Sequence, residues 1–406
     1  MKQPPVGSGG LPPVVAVNLT AIALAGALFP CYGRAGVAAL GGVLVIANAV
    51  LVLRPGARRR LCRMFDESRP FVRNALVVMM SIIVAFGGME LITVGLLKIG
   101  AITCDLPMRT VLKKGTDDWR LAHITADEYR EPDPVLLWRP INRDPYNAQR
   151  FKGPVVALPK PAREFRMICY GDSNTEGPIR GAWPEALQHL LAERLSGGGR
   201  RYTVLNAGVA GYSSYQGLRR FRDEAGTYDP DVIVVAFGWN DLPAAIGVPD
   251  KAFRLPAPAH LFLERLLLHY HLYRAIKYYL GTRARPSPPA VEAPPRVSLD
   301  DYIQNLHGFL DEGRRHGMAA VFLTRPHRRS AEETAQDPTW MRNLPVYNRA
   351  LLAFAKEQGA VAIDMQRLLS NHQEWFADEC HLTAEGHQRM ADMIFQEFLA
   401  HHLVPP

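Results

Sequence analysis

The chain has 406 residues, of which 48% are hydrophobic, so its composition excludes a wholly disordered or collagen-like protein. Its 47 Lys and Arg outnumber its 39 Asp and Glu, but the excess is local. Residues 1–100 hold ten basic and three acidic side chains, which leaves 37 basic and 36 acidic side chains for residues 101–406. Because this larger part is nearly neutral, we predict that it has no nucleic-acid partner.

Three long apolar runs at the start of the chain predict a membrane anchor within residues 1–100. Residues 14–32 and 35–53 contain no charged side chain, and residues 75–97 contain only Glu90. Each run is long enough to cross about 30 Å of hydrocarbon as a helix. We therefore predict three transmembrane helices.

The arginines between these runs predict how the anchor is oriented. Seven arginines separate the second run from the third, whereas Arg34 alone separates the first two. By the positive-inside rule the N-terminus is cytoplasmic, and residues after 100 lie outside the inner membrane, on the periplasmic or extracellular side. Glu90 is either a functional intramembrane carboxylate or a group that fixes the packing of the spans.

A polar, proline-bearing connector at residues 101–162 leads to a domain at residues 163–406 in which strands and helices alternate. Strands are predicted at residues 165–170, 203–207, 232–237, 320–323 and 361–363. Helices are predicted near residues 183–195, 215–225, 299–315, 346–358 and 384–400. This alternation predicts an α/β fold with a parallel five-stranded sheet, covered by helices on both faces.

Residues 251–298 interrupt the alternation. They contain a predicted helix at residues 260–280 and a proline-rich stretch at residues 285–295. The insertion is either an extra packing helix with a stiff linker, or a lid or membrane-surface element held close to the bilayer by the anchor.

Residues suited to serine catalysis follow the predicted strands, where open α/β sheets bind their ligands, or lie in the loop before the last predicted helix. They form the segments Gly-Asp-Ser-Asn at 171–174, Asn-Ala-Gly-Val-Ala-Gly at 206–211, Gly-Trp-Asn-Asp at 238–241 and Asp-Glu-Cys-His at 378–381. Each segment alone is compatible with a turn or a helix cap. Together they supply a nucleophile, oxyanion donors, a base and a carboxylate that orients the base.

The four segments, in the order Ser, Gly, Asn and His, resemble those of the SGNH hydrolase superfamily, also called GDSL esterases and lipases. The resemblance covers about residues 130–400 and includes residues 133–140, which are similar to the segment leading into the domain in many bacterial members. It implies a three-layer α/β/α domain of the flavodoxin-like type.

The resemblance also implies a role for each site residue. Ser173 is the expected nucleophile, and His381 is the expected base, oriented by Asp378. Gly211 and Asn240 are the expected oxyanion donors, together with the Ser173 amide. Gly211 is preferred to Gly208 because the family's donor is the later glycine of this segment.

The chemistry of these residue types supports the same roles. A serine hydroxyl needs an adjacent base near neutral pKa, and imidazole meets that need. Asp378 lies three residues before His381, so a tight turn could bring its carboxylate to the imidazole. Asp172 and Asp241 adjoin Ser173 and Asn240, and we predict that they support the turns.

Two further histidines and the cysteines are less informative. His327 either contacts a substrate anion or sugar or lies in a solvated basic loop, and His387 is expected on a helix face. The five cysteines lack metal-ligand spacing, so no metal and no cofactor is predicted. The sequence leaves open whether two of Cys104, Cys169 and Cys380 form a disulfide.

These observations predict a membrane-anchored serine esterase that cleaves O-acyl ester bonds through an acyl-enzyme at Ser173, with an ester or an acylated glycan or lipid as its substrate. One alternative is an O-acyltransferase or O-acetylesterase of envelope polysaccharide, because an acyl-enzyme can be resolved by water or by another hydroxyl. An alternative of another class is a non-catalytic binding module on a hydrolase fold.

Overall fold

The computed structural model describes residues 85–101, 129–195, 199–243, 248–284, 294–328 and 343–405. Their strands are β1 (Arg130–Asp133), β2 (Leu137–Pro140), β3 (Glu164–Gly171), β4 (Arg201–Gly208), β5 (Val232–Ala236), β6 (Ala319–Leu323) and β7 (Val361–Ile363). Their helices are α1 (85–98), α2 (Ser173–Glu176), α3 (Trp183–Arg194), α4 (Ser214–Tyr228), α5 (Pro258–Leu267), α6 (His271–Ala284), α7 (Leu299–Arg315), α8 (Leu344–Gln358), α9 (Met365–Leu369) and α10 (Ala384–Ala400).

Strands β3 to β7 form one parallel sheet in the order β4-β3-β5-β6-β7. The predicted five-stranded parallel sheet is therefore confirmed. From β3 the chain moves outward to β4 and then returns to the other side of β3 to form β5, which is the flavodoxin-like strand order. This reversal opens a crevice beyond the carboxyl ends of β3 and β5, where a ligand site is expected.

Alternating side chains of β3 bury both faces of the sheet. Met167 and Cys169 point into a core that includes residues of α3 and α10. Tyr170 points the other way, and its ring lies 5.4 Å from that of Phe221 on α4 and 6.2 Å from that of Phe309 on α7. Because successive strand residues face opposite sides, this pattern requires helices on both faces and gives a three-layer domain.

The described part of the predicted connector is a folded part of the sheet domain. Strands β1 and β2 pair as an antiparallel hairpin, and Trp138 of β2 is fully buried. The Trp138 indole donates to the Ala210 carbonyl at 3.3 Å, and the Tyr212 hydroxyl donates to the Trp138 carbonyl at 2.6 Å. Described residues 129–162 belong to the same compact unit as the sheet.

A second compact unit combines described residues 85–101 with the insertion segment 258–284. The prediction of a single helix at residues 260–280 is wrong, because the chain forms two helices, α5 and α6, with a break between them. The buried Glu90 carboxylate of α1 accepts hydrogen bonds from the amides of His271 at 2.8 Å and Leu272 at 2.7 Å. Glu90 therefore caps α6, which accounts for a new helix beginning at this point.

The predicted membrane segments fall largely outside the described residues. Segments 14–32 and 35–53 lie wholly outside them, and segment 75–97 is described only from residue 85. Among the helices of the described ranges, none combines the length and the apolar character needed to cross a membrane.

Candidate active site

Ser173 lies at the sharp turn between β3 and α2. Its neighbour Asp172 caps the helix by accepting a hydrogen bond from the Asn174 amide at 3.0 Å. A Cβ atom at Gly171 would lie 2.1 Å from the Thr175 hydroxyl oxygen, so this turn has no room for a larger residue. The turn therefore presents the Ser173 hydroxyl at the carboxyl end of the sheet.

A chain of two hydrogen bonds links Ser173, His381 and Asp378. Ser173 Oγ lies 2.8 Å from His381 Nε2, and His381 Nδ1 lies 2.7 Å from Asp378 Oδ2. With Nδ1 protonated and donating to the carboxylate, Nε2 is free to accept the serine proton. The structure thus brings together the three residues predicted from the sequence as nucleophile, base and orienting carboxylate.

The loop before α10 holds Asp378 in its ionised form. Asp378 Oδ1 accepts hydrogen bonds from the amides of Cys380 at 2.9 Å and His381 at 2.7 Å. Partial burial raises the pKa of Asp378, but these two amides and the His381 ring outweigh that effect and lower the pKa below its usual value. The local turn therefore favours the charged carboxylate that an imidazolium needs as a partner.

Gly211 and Asn240 are linked through the residue that follows Gly211. Gly211 has a φ of 82°, which favours glycine, and the Asn240 side chain donates to the Tyr212 carbonyl at 3.2 Å. Within the described part of the chain, neither the Ser173 amide nor the Gly211 amide donates a hydrogen bond to another residue. Both N–H groups are therefore available to an incoming oxygen.

Asp172 and Asp241 are buried and accept hydrogen bonds from outside their own turns. Besides capping α2, Asp172 pairs with Arg325 Nη2 at 2.9 Å. Asp241 accepts from the Ser214 amide at 3.0 Å and from the Ser214 hydroxyl, at the start of α4. Burial raises the pKa of Asp241 to about 7, although the bonds from Ser214 lower it.

The two further histidines considered from the sequence, His327 and His387, are both buried. His327 is 9% exposed, its Nδ1 lies 3.1 Å from Gln366 Oε1, and its ring packs edge-on against Trp239, so it does not lie in a solvated loop. His387 is on a helix, as predicted, but it is 2% exposed. Burial, with charge repulsion from Lys152 and His381, lowers the pKa of His387 to about 4.

The described cysteines do not suggest a disulfide, and the possible metal-ligand group found among the described residues coincides with the site. Cys169 and Cys380 are free thiols, and Cys104 lies outside the described residues. Asp378, Cys380 and His381 place candidate ligand atoms within 4.8 Å of one another. The carboxylate and imidazole already form the hydrogen-bond chain to Ser173, and burial raises the pKa of the Cys380 thiol, which disfavours a thiolate ligand.

Sequence reasoning missed two site residues, Asn174 and Glu176. Asn174 contacts the loop that carries His381, and Glu176 contacts the loop that carries Gly211. Their only signal in the sequence is their position one and three residues after Ser173, on the same short helix.

Comparison with known proteins gives matches across this domain. Residues 169–389 match the GDSL-like Lipase/Acylhydrolase family. An arylesterase from Vibrio mimicus is 30% identical over 89 residues, and the match spans 21% of this chain and 42% of that protein.

Solved structures of a lipase and a lipase/acylhydrolase also align with part of the chain. A GDSL-like lipase from Bacteroides thetaiotaomicron is 16% identical, with a TM-score of 0.39 over 60% of this chain and 92% of that one. A lipase/acylhydrolase from Enterococcus faecalis is also 16% identical, with a TM-score of 0.38 over 58% of this chain and 96% of that one. Since the family match spans more than half of the sequence and includes Ser173, Gly211, Asn240, Asp378 and His381, the chain belongs to the GDSL-like lipase/acylhydrolase, or SGNH, family.

Proposed function

We propose that this protein is a serine esterase that cleaves O-acyl esters through an acyl-enzyme at Ser173. The observation that carries the proposal is the continuous chain from Ser173 Oγ to His381 Nε2 at 2.8 Å and from His381 Nδ1 to Asp378 at 2.7 Å. These distances allow proton transfer without rearrangement of the three side chains.

The first half of the reaction forms the acyl-enzyme. Ser173 Oγ bonds to the ester carbonyl carbon while His381 Nε2 takes the hydroxyl proton, and Asp378 stabilises the resulting imidazolium. The tetrahedral intermediate then collapses, the bond to the alcohol breaks, and the alcohol leaves with the proton held by His381. The acyl group remains on Ser173.

The second half releases the acid. Water attacks the acyl carbonyl carbon as His381 takes one of its protons, and Ser173 leaves with that proton when the second intermediate collapses. In both halves the negative oxygen would accept from the amides of Ser173 and Gly211 and from the Asn240 side chain. Each such donor is worth about 3 kcal/mol of transition-state stabilisation.

Activity and covalent labelling test the proposal. Ser173→Ala and His381→Gln are expected to lower hydrolysis of p-nitrophenyl acetate by about 10⁴-fold to 10⁶-fold, and Ser173→Ala to abolish labelling by a fluorophosphonate. His401→Gln is the matched control, because the His401 and His381 side chains are 47% and 45% exposed. A wild-type protein that neither hydrolyses nor labels would instead be a binding module.

Acyl transfer to envelope polysaccharide is an alternative reaction of the same acyl-enzyme. A sugar hydroxyl that replaces water in the second half would make the protein an O-acyltransferase, whereas an acylated polysaccharide as the first substrate would make it an O-acetylesterase. Mass spectrometry of an oligosaccharide incubated with an activated acetyl ester distinguishes the outcomes. An acetylated sugar indicates transfer, and acetate with an unchanged sugar indicates hydrolysis.

The proposed esterase is tethered to the inner membrane by three N-terminal helices, with its sheet domain outside. This proposal is supported by the uncharged runs 14–32 and 35–53, the run 75–97 and the arginine-rich segment between the second and third runs. The full chain should resist alkaline carbonate extraction from membranes, and protease added outside intact spheroplasts should cleave the sheet domain. Release by carbonate would overturn the tether, and full protection from protease would overturn the orientation.

A further inference from the structure

The one-turn helix α2 carries polar side chains on both sides of the proposed nucleophile. Successive residues of a helix are separated by about 100° around its axis, so Asn174 lies on one side of Ser173 and Glu176 on the other. Asp172 caps the start of α2, and at its end the Gly177 amide donates a hydrogen bond to the Ser173 carbonyl at 2.8 Å. The helix thus holds Ser173 between two polar side chains, which we call the Asn174 arm and the Glu176 arm.

Asn174 holds the backbone on both sides of His381. Its Nδ2 donates to the Cys380 carbonyl at 2.6 Å, and its Oδ1 accepts from the Leu382 amide at 3.2 Å. The Asn174 side chain is buried, whereas the His381 side chain is 45% exposed. Because packing encloses the imidazole incompletely, its position depends on how firmly its backbone is held.

Glu176 holds the amide next to Gly211. Its carboxylate accepts from the Ala210 amide, from Arg130 Nη2 at 2.8 Å and from the Tyr146 hydroxyl at 2.6 Å. Arg130 and Tyr146 are both buried and fix the carboxylate in place. Glu176 thereby connects the helix that carries the nucleophile to the loop that carries the glycine.

The other contacts of this loop orient the Gly211 amide. The Ala210 carbonyl accepts from the Trp138 indole at 3.3 Å, and the Gly211 carbonyl accepts from Arg296 Nη1 at 2.9 Å. In a trans peptide the N–H points opposite to the C=O, so holding the Ala210 amide and carbonyl fixes the direction of the Gly211 N–H. Displacement of the Glu176 carboxylate would release one of these holds.

We infer that Asn174 and Glu176 are positioning residues for two separate parts of the reaction. Asn174 keeps His381 at the serine oxygen, and Glu176 keeps the Gly211 amide directed at the oxyanion. The inference rests on the proposed acyl-enzyme at Ser173. Since a misplacement of about 1 Å can cost about 100-fold in rate, loss of either arm should lower kcat/KM by about 10-fold to 100-fold.

A double-mutant cycle tests the Asn174 arm with the full chain and p-nitrophenyl acetate. Asn174→Ala should lower kcat/KM in the wild-type background and have no further effect in His381→Ala, because the group it positions is then gone. Asn371→Ala, at an exposed asparagine, is the control and should match wild type. An equal loss from Asn174→Ala in both backgrounds would overturn this arm and indicate a general effect on the fold.

Two conservative variants test the Glu176 arm, because complete removal would take away the carboxylate that pairs with buried Arg130 and endanger folding. Glu176→Gln keeps the reach to the Ala210 amide but loses the charge, whereas Glu176→Asp keeps the charge and is one methylene shorter. We expect the Asp variant to lose about tenfold or more in kcat and the Gln variant to lose less, with KM little changed in both. Glu357→Asp, at an exposed glutamate, is the control.

The outcomes separate this inference from the proposed function. A lower kcat in the Gln variant than in the Asp variant would overturn the positioning of the Ala210 amide. The role of Glu176 would then be to pair with the charge of Arg130. The effect of Glu176→Asp should persist in the His381→Ala background, since oxyanion stabilisation does not need the base. Wild-type activity in His381→Ala alone would refute the proposed function itself.

Discussion

The Asp378 carboxylate contacts His381 at two points, the backbone amide at 2.7 Å through Oδ1 and the ring Nδ1 at 2.7 Å through Oδ2. One side chain therefore fixes both the position of the residue and the tautomer of its ring. This double contact is possible because only two residues separate Asp378 from His381, within one tight turn.

Asp378→Asn should lower kcat/KM for an activated ester by about 10³-fold to 10⁴-fold, because an amide can present its NH₂ to Nδ1 and favour the wrong tautomer. Steady-state kinetics at neutral pH measures the loss. Asp311→Asn, at an exposed aspartate of α7, is the control and should match wild type. Activity of Asp378→Asn within about threefold of wild type would show that the carboxylate does not assist the base.

Asn240→Ala should lower kcat by about 100-fold to 1,000-fold with little change in KM, since its amide would act on the oxyanion and not on the ground-state ester. Asn371→Ala again provides an exposed asparagine for comparison. A rise in KM at unchanged kcat would instead assign Asn240 to substrate binding.

The regular part of the sheet domain could be predicted from sequence because its signals are local. The strand at residues 361–363 and the helices at residues 299–315 and 384–400 match the structure residue for residue, and Ser298 and Thr383 cap those two helices. Periodic apolar residues and caps lie within one window of sequence. The four site segments could likewise be recognised from the sequence, because each is a short run of consecutive residues.

The parts that sequence reasoning missed depend on contacts between distant segments. Strand β1 reads Arg-Glu-Pro-Asp and shows no apolar alternation, and its hairpin is held by the burial of Trp138 near Ala210. The break between α5 and α6 depends on Glu90, which is 181 residues from His271. The partners of Asn174 are likewise known only once the chain has folded, since Cys380 is 206 residues away.

Gly208→Ala should destabilise the sheet domain by about 1–3 kcal/mol and lower esterase activity, because the added Cβ requires the backbone to shift. That atom would lie 2.1 Å from the Glu176 nitrogen and 2.5 Å from the Thr175 carbonyl carbon, both on the helix that carries Ser173. Denaturant unfolding measures the change. Gly226→Ala in α4 meets only His316 at 3.8 Å and should instead stabilise by about 0.5–1 kcal/mol. Equal midpoints for Gly208→Ala and wild type would contradict the close approach.

His387 should make the protein less stable in mild acid. Its pKa is lowered to about 4 in the fold, mainly by burial, whereas its usual value is 6.5. The unfolded chain therefore binds more protons between these two values, so the stabilisation is present above about pH 6.5 and is lost as the pH falls toward 4. When the pH falls from about 7.5 to about 5, protonation of this group should lower the free energy of unfolding by about 2 kcal/mol.

Urea unfolding of His387→Leu at the two pH values measures this contribution. The variant should lose about 2 kcal/mol less than wild type on acidification, while His401→Leu, at an exposed histidine, should keep the wild-type dependence. Identical pH dependence in His387→Leu and wild type would mean that folding does not lower the pKa of His387.

Glu90→Ala should loosen the start of α6 without unfolding the sheet domain, because it removes the acceptor of the His271 and Leu272 amides. Loss of a helix cap costs about 1 kcal/mol, and up to about 2, so hydrogen exchange over residues 271–284 should accelerate about 5-fold to 30-fold. Glu90→Gln keeps one acceptor oxygen and should show a smaller increase. Exchange in Glu90→Ala equal to that in wild type would show that the carboxylate does not cap this helix.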